Sequence, residues 1–356
     1  MARVLARLTL LLVLVLGVAG ILVRPVSAAQ LTVSVIDVGQ GDSILVQFPN
    51  GQDMLVDAGD REAGPTVVQY LRSRGIKRID LLVASHPHAD HIGGMARVLA
   101  AFPVGKAWDS GYNSGSRTQQ QYLSTIKAKA IRFGMPKAGL SQQIGDATVA
   151  VLAPGKVPIV GTDSDANNNS LVLRISYRNV SFLLPGDMER EERATVGTWP
   201  RSTVLKVAHH GSRNGTDLAF AKAVSPQYAV ISYATANSYG HPHAEAVAAL
   251  TAAGAKILQT AVDGTVVFTT DGKAITCMTS RATKSATSEP RTAAAASAAT
   301  AAPALSGETV YIGNLRTKVF HRPSCANLPS DKNRVTFSTR DEAIRKGYRP
   351  CRNCNP

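Results

Sequence analysis

Cysteine is scarce in this chain, with four residues among 356. That scarcity excludes a small scaffold stapled by many disulfides. Cys277 stands alone in the stretch Ala274-Ile275-Thr276-Cys277-Met278, where a small buried apolar residue is expected. Long hydrophobic runs are equally rare. Only Leu8 to Val23 approaches the length of a membrane span, which excludes a bundle of membrane helices. No internal repeat is visible, which excludes a solenoid. Acid is short against base, with 25 Asp and Glu facing 39 Lys and Arg for a formal charge of +14. A hydrophobic share of 44% is that of a soluble globular protein, and the length allows two domains.

The excess of base is unevenly spread. Arg3, Arg7 and Arg24 belong to the N-terminal segment. From Glu308 onward, ten Lys and Arg face four acids, and Arg281, Lys284 and Arg291 outweigh Glu289 just before it. About +3 remains for residues 29–279, so an anionic partner is felt mainly by the tail. Arg3 and Arg7 precede the apolar run, and Val26-Ser27-Ala28 offers small residues for cleavage before Ala29. This order predicts a secretory signal over 1–28 and a secreted or extracytoplasmic protein. An uncleaved leader acting as a membrane tether remains the alternative.

Residues 29–279 alternate strand-like and helix-like segments. Leu31 to Asp37 alternates apolar and polar residues, and Ser43 to Phe48 and Met54 to Val56 follow as strands split by Pro49-Asn50-Gly51. Pro65 to Arg74 reads as a helix ending at Gly75, and Ile79 to Ala84 as a buried strand. Further helices are expected over Gly94 to Ala101, Thr118 to Ala130 and Ala244 to Ala253. Leu171 to Tyr177 pairs with Val180 to Leu184 across Arg178-Asn179, Val204 to Ala208 is a strand, and a last hairpin turns at Asp271-Gly272. Mixed hairpins and crossover helices predict an α/β protein of two packed sheets with helices outside. Residues 280–307, rich in Ala, Ser, Thr and Pro, read as a linker, and 308–356 as a small second module.

The chemistry concentrates in Ser85-His86-Pro87-His88-Ala89-Asp90-His91, directly after an apolar strand. Three imidazoles and a carboxylate at this spacing can clamp two divalent ions side by side. A carboxylate bridging two cations holds them close, and a water between them loses its proton near neutral pH. Asp187, after Gly186 at the end of an apolar strand, is placed to project such a bridge. His209 and His210 follow a second apolar run and can complete the shell.

Seven motifs in order resemble the metallo-β-lactamase superfamily in the branch found in the ComEC competence proteins. They are Ile36 to Ser43, Leu55-Val56-Asp57-Ala58-Gly59, His86 to Gly94, Asn167 to Leu173, Leu184-Pro185-Gly186-Asp187, His209-His210-Gly211-Ser212 and Tyr239-Gly240-His241-Pro242. The resemblance implies an αββα sandwich over about residues 31–270. It places His86 and His88 on one ion, Asp90 and His91 on the other, and Asp187 between them. His210 becomes a ligand oriented by His209, with the reverse order left open. Where the superfamily commonly supplies another His, this chain offers Asn167, Asn168 and Asn169, so the first ion is expected to be more open. Asp57 is expected to orient a ligand, with Asp42 and Gln40 doing similar work in a Gly-rich bend. His241 could protonate a leaving group, bind substrate phosphate or be the final ligand. Asp90, His241 and Asp57 are thus the candidate catalytic residues. The multi-span channel of ComEC proteins is missing here, so DNA import does not carry over.

In the tail, His321-x₃-Cys325 and Cys351-x₂-Cys354 form two tight pairs 25 residues apart, a pattern for a closed tetrahedral zinc site. Between them Thr339-Arg340-Asp341-Glu342 is a capping box opening a short helix that ends at Gly347. About fifty residues bury little core, so the metal is expected to supply folding energy. The segment resembles the Ada-like metal-binding module, with His321 standing where that family has its first cysteine. An imidazole there does not support methyl transfer and leaves a structural zinc unit.

The expected whole is an exported hydrolase with two divalent ions, zinc or manganese, and one structural zinc. Its expected substrate is the phosphodiester of DNA or a related polyanion, and no nucleotide cofactor is expected. Hydrolysis of a lactam or a cell-surface phosphoester, and polyanion binding without turnover, are the alternatives. The sequence leaves the oligomeric state open.

Overall fold

The computed structural model describes residues 30–282, 311–322, 325, 328–330, 333–337 and 340–351. The expected leader, most of the expected linker and Cys354 lie outside these residues. Among the described residues no helix is long and apolar enough to cross a membrane.

Fifteen strands build the large domain. They are β1 (Leu31–Val35), β2 (Ile44–Gln47), β3 (Asp53–Val56), β4 (Ile79–Ala84), β5 (Val104–Asp109), β6 (Arg132–Gly134), β7 (Ser141–Ile144), β8 (Ala147–Ala153), β9 (Val172–Tyr177), β10 (Val180–Leu184), β11 (Val204–Lys206), β12 (Tyr228–Ile231), β13 (Lys256–Gln259), β14 (Val266–Thr270) and β15 (Ile275–Thr279). One sheet runs β15-β14-β1-β2-β3-β4-β5-β6 and the other β13-β12-β11-β10-β9-β8-β7. In each, an antiparallel half passes into a parallel half, at β3–β4 in the first and at β10–β11 in the second.

Side-chain alternation explains the layering. In β4, Leu81 and Val83 face the core between the sheets, and Leu82 faces the opposite side. In β10, Phe182 and Leu184 face inward and Leu183 outward. Strands covered on both faces must be apolar at every position, as Val-Ser-Phe-Leu-Leu of β10 nearly is. Between the sheets, Phe182 packs edge-on against Phe268 at 6.1 Å. Helices Gly64–Ser73, Met95–Ala101 and Arg117–Ala128 cover the outer face of the first sheet with Leu71, Leu99 and Tyr122. Leu218–Val224 and Ala244–Ala252 cover the second with Phe220 and Leu250. The result is the expected αββα sandwich.

Four sequence expectations shift. Helix Gly64–Ser73 begins one residue before Pro65, which keeps the proline in the first turn. The last hairpin is longer than its apolar cores, with Asp271 Oδ1 accepting from the amides of Lys273 and Ala274. Cys277 is only partly covered, at the rim of the inter-sheet core, because β15 is an edge strand. The large domain also continues past residue 279. Ser280 Oγ accepts from the Thr265 amide at 3.0 Å, and the Arg281 guanidinium reaches Asp37 at 3.2 Å.

In the tail, Tyr311–Asn314, Val319–His321, Arg334–Phe337 and Arg349–Pro350 form a four-stranded sheet, with helix Arg340–Arg345 beside it. Phe320, Phe337, Ala343 and Tyr348 make its small core. Thr339 of the expected capping box lies outside the described residues.

The inter-sheet contact gives a direct test of the layering. Phe182→Ala should lower stability by about 3–5 kcal/mol, read from the urea midpoint. A loss under about 1 kcal/mol would mean that the sheets do not depend on this ring.

Candidate metal centre

In the large domain, polar residues gather at the carboxyl ends of β4 in one sheet and of β10, β11 and β12 in the other, where backbone ends leave a crevice. β4 delivers Ser85 to His91, β10 delivers Asp187, β11 delivers His209 and His210, and Ser232 follows β12. The loops lock to one another through their backbones. Leu171 donates its amide to Ser85 O at 2.7 Å, and His209 donates to Gly186 O at 3.2 Å. Asp42 donates to Asp90 O at 3.2 Å. Gly41 allows that last approach, because a Cβ there would lie 2.0 Å from Asp90 O.

The side chains form two metal-capable groups that share Asp187. His86, His88 and Asp187 make one; Asp42, His91, Asp187 and His210 make the other, and within each group the ligand atoms lie within 4.8 Å of one another. Asp187 Oδ2 is 3.7 Å from His86 Nε2 and 3.4 Å from His210 Nε2, and Oδ1 is 3.2 Å from His91 Nε2. Asp90 Oδ2 joins the second group at 3.3 Å from His210 Nε2. His86 Nε2 is buried without a hydrogen-bond partner. An orphaned lone pair of this kind, in a set of imidazoles and carboxylates, fits divalent cations.

Outer partners decide which nitrogen faces inward. Asp57, itself buried, accepts from the Ser85 amide at 2.8 Å, from Ser85 Oγ at 2.6 Å and from His91 Nδ1 at 2.8 Å. That leaves His91 Nε2 toward Asp187. His210 Nδ1 donates to Ser232 O at 2.9 Å, so its Nε2 turns inward as well. Asp42 lies 3.5 Å from His210 on the Nδ1 side and is held by Lys206 Nζ at 2.7 Å, which places it behind the ring. His209 Nδ1 meets Glu189 at 3.0 Å, and its Nε2 is 3.8 Å from Asp187. Asn167 also donates to Glu189 at 3.0 Å. Both His209 and His210 hold left-handed backbones, φ 47° and 53°, which non-glycine residues adopt only when the surroundings fix them.

A cavity of about 320 Å³ opens onto this cluster, lined by His88, Asp90, Asn167, Asp187, His209 and His241 among others. His241 stands apart from both metal-capable groups. Asp57 does not line the cavity and acts through His91. Lys206, Glu189, Ser85 and Ser232 escaped the sequence reading. Only Lys206 carried a signal, a lone cation in the apolar run Val204 to Ala208.

Charge follows from burial and neighbours. Burial opposes protonation of His91, but Asp187, Asp57 and Asp90 outweigh it and hold the ring well above the usual histidine range. His210 is likewise pushed up to about 9 against its burial, by Asp187, Asp42 and Asp90. His86 is driven well below the ordinary value by burial and by His91. Burial and the rings of His209 and His210 lower His241 to about 3, so it is neutral. Burial penalises the Asp187 carboxylate, yet the surrounding histidines keep it ionised.

In the tail, His321, Cys325 and Cys351 converge within 4.8 Å, with His321 Nδ1 3.4 Å from Cys325 Sγ. The fourth expected ligand, Cys354, lies outside the described residues.

An αββα sandwich with a histidine–aspartate cluster at its strand ends defines the class, a domain of the metallo-beta-lactamase fold with a metal-capable centre. The sequence model of the metallo-beta-lactamase superfamily matches residues 36–235, and the chain belongs to that superfamily. Residues 294–356 match the metal-binding domain of Ada. ComE operon protein 3 of Bacillus subtilis (strain 168) is 30% identical over 69% of this chain and 34% of its own length. Competence protein ComA of Neisseria gonorrhoeae is 32% identical over 66% of this chain and 32% of its own. The chain thus spans about a third of the length of these curated relatives. Among solved structures, the metallo-beta-lactamase fold protein YhfI from Bacillus subtilis aligns with a TM-score of 0.45 at 12% identity, covering 68% of this chain and 100% of that one.

The proton inventory gives a prediction. Without cations, His91 and His210 carry protons at pH 7, and His210 loses its own only as pH rises through about 9. Metal must displace these protons. Zinc or manganese affinity should therefore rise from pH 6 to 9, with proton release measurable in weak buffer by calorimetry. Affinity flat across that window would show that neither imidazole is a ligand.

Proposed function

We propose that this chain is an exported two-metal phosphodiesterase that cleaves DNA or a related polyanion. The observation that carries this reading is the open cavity over a shared Asp187. A structural metal site closes its shell, whereas a catalytic one keeps a position for water and substrate. Bound here, a pair of divalent cations would supply Lewis acidity and a deprotonated water nucleophile. Phosphodiesters suit such a pair because both the attacking and the leaving oxygen develop charge. A relative named as a competence protein favours a nucleic-acid substrate over a lactam.

The residues divide the work. His86 and His88 would hold one ion and Asp90, His91 and His210 the other, with Asp187 between. Zinc is the first choice for a histidine-rich set and manganese the second. Asp57 keeps the Nδ1 proton of His91, and Ser232 O keeps that of His210. Both rings then present Nε2 to the centre without reorganising. His241, neutral on the cavity wall, is placed to donate to or accept from a substrate oxygen.

The tail is read as a zinc-stabilised docking unit. With six more Lys and Arg than acids from Glu308 onward, it would concentrate a polyanion near the large domain. Export rests on the leader pattern of residues 1–28.

Purified full-length chain loaded with zinc or manganese should cut single- or double-stranded DNA. His88→Ala and Asp187→Asn should reduce cleavage to background. Asp57→Asn should weaken metal affinity by about 10–100-fold. Turnover of a lactam panel with no cleavage of any phosphodiester would overturn the assignment.

A further inference from the structure

Tyr239 is the aromatic residue that the metal centre does not use. It lines the same cavity as Asp90, Asp187 and His210, yet is 62% exposed. Its ring is stacked on His241, with centroids 5.5 Å apart and planes 20° from parallel. One face is therefore occupied and the other is open to solvent.

The platform is held in place before any ligand arrives. Asn237 Oδ1 accepts from the amides of Tyr239 at 3.1 Å and His241 at 2.9 Å, and Asn237 Nδ2 donates to Ala234 O and His241 O, each at 2.8 Å. On the same cavity wall, Gln40 Nε2 is a buried amide donor with no partner. A lone exposed tyrosine needs no explanation. A tyrosine pinned by its loop, stacked on a cavity histidine and adjoined by an unpaired amide, at the mouth of a metal centre, does.

We propose that the open face of Tyr239 stacks a nucleobase next to the scissile phosphate. The proposal rests on the phosphodiesterase reading and narrows it. The favoured substrate is a single strand with unpaired bases, and polyanions without aromatic bases are poor substrates. Stacking tolerates any base, since each has a π-face, so selection is for bases and not for sequence.

Two measurements on the full chain test this. In the first, hexathymidylate carrying one 5-iodouracil is irradiated with protein kept free of divalent cations by chelation, and adducts are mapped by mass spectrometry. The expected adduct lies on the peptide containing Tyr239, persists in Tyr239→Phe and disappears in Tyr239→Leu. In the second, metal-loaded protein is assayed on thymidylate strands with and without abasic residues at the cut site. Tyr239→Ala should raise KM about tenfold on the base-bearing strand, with kcat within about twofold, and leave the abasic strand unchanged.

Adducts only elsewhere, or equal KM effects on both strands, would overturn the platform. If the adduct forms on Tyr239 while no strand is cut, the phosphodiesterase reading fails and the stacking site stands. If both strands are cut equally well and no adduct forms there, cleavage stands and the platform falls.

Discussion

One carboxylate, Asp187, stands between two groups of imidazoles, drawn from the loop after β4 and the loop after β11. It is buried, and a buried charge is costly unless paired. Here the pairing comes chiefly from His210 and His91, with no lysine or arginine among the groups that hold it ionised. Imidazoles differ from fixed cations because each can exchange its proton for a metal ion. The same electrostatic need can thus be met by protons on His91 and His210 or by cations between the rings. Asp187 reaches this position only because β10 lies beside β11 in one sheet, and the opposing sheet carries β4 with its His-rich loop.

The surrounding network exists to keep the rings aimed. Four imidazoles around Asp187 have their Nδ1 side engaged: His86 by Ser85, His91 by Asp57, His209 by Glu189 and His210 by Ser232 O. Lys206 pairs with Asp42 behind His210, which lets a further carboxylate sit near Asp57, Asp90 and Asp187 without adding a net charge. The left-handed backbones of His209 and His210 place two adjacent side chains over one carboxylate, which neither a strand nor a helix would do.

Much of this was legible because local sequence was enough. The αββα layering follows from alternation and apolar strands, and the ligand loop is contiguous in the chain. What was missed depends on contacts between distant segments. Lys206 gave a signal only as a charge in an apolar run, and its partner Asp42 lies 164 residues away in sequence. Glu189 and Ser232 look like ordinary loop polars until the loops meet. The three short parallel strands β11, β12 and β13, with their intervening helices, were only partly visible because strands of three or four residues carry little periodicity. The domain end slipped past residue 279 because Ser280 and Arg281 have linker composition but make long-range bonds.

The choice between His209 and His210 shows how structure refines a motif. Adjacent histidines are equivalent in sequence, but their surroundings are not. His210 is buried, backed by a carbonyl and a neutralised carboxylate, and its Nε2 faces Asp90 and Asp187 together. His209 is partly exposed, reaches Asp187 with Nε2 and Glu189 with Nδ1, and lies beside Asn167. The group around His210 is braced from behind, and both groups reach the cavity, one through Asp90 and His210 and the other through His88. Of two neighbouring histidines, His210 is thus the buried, braced one and His209 the more exposed one.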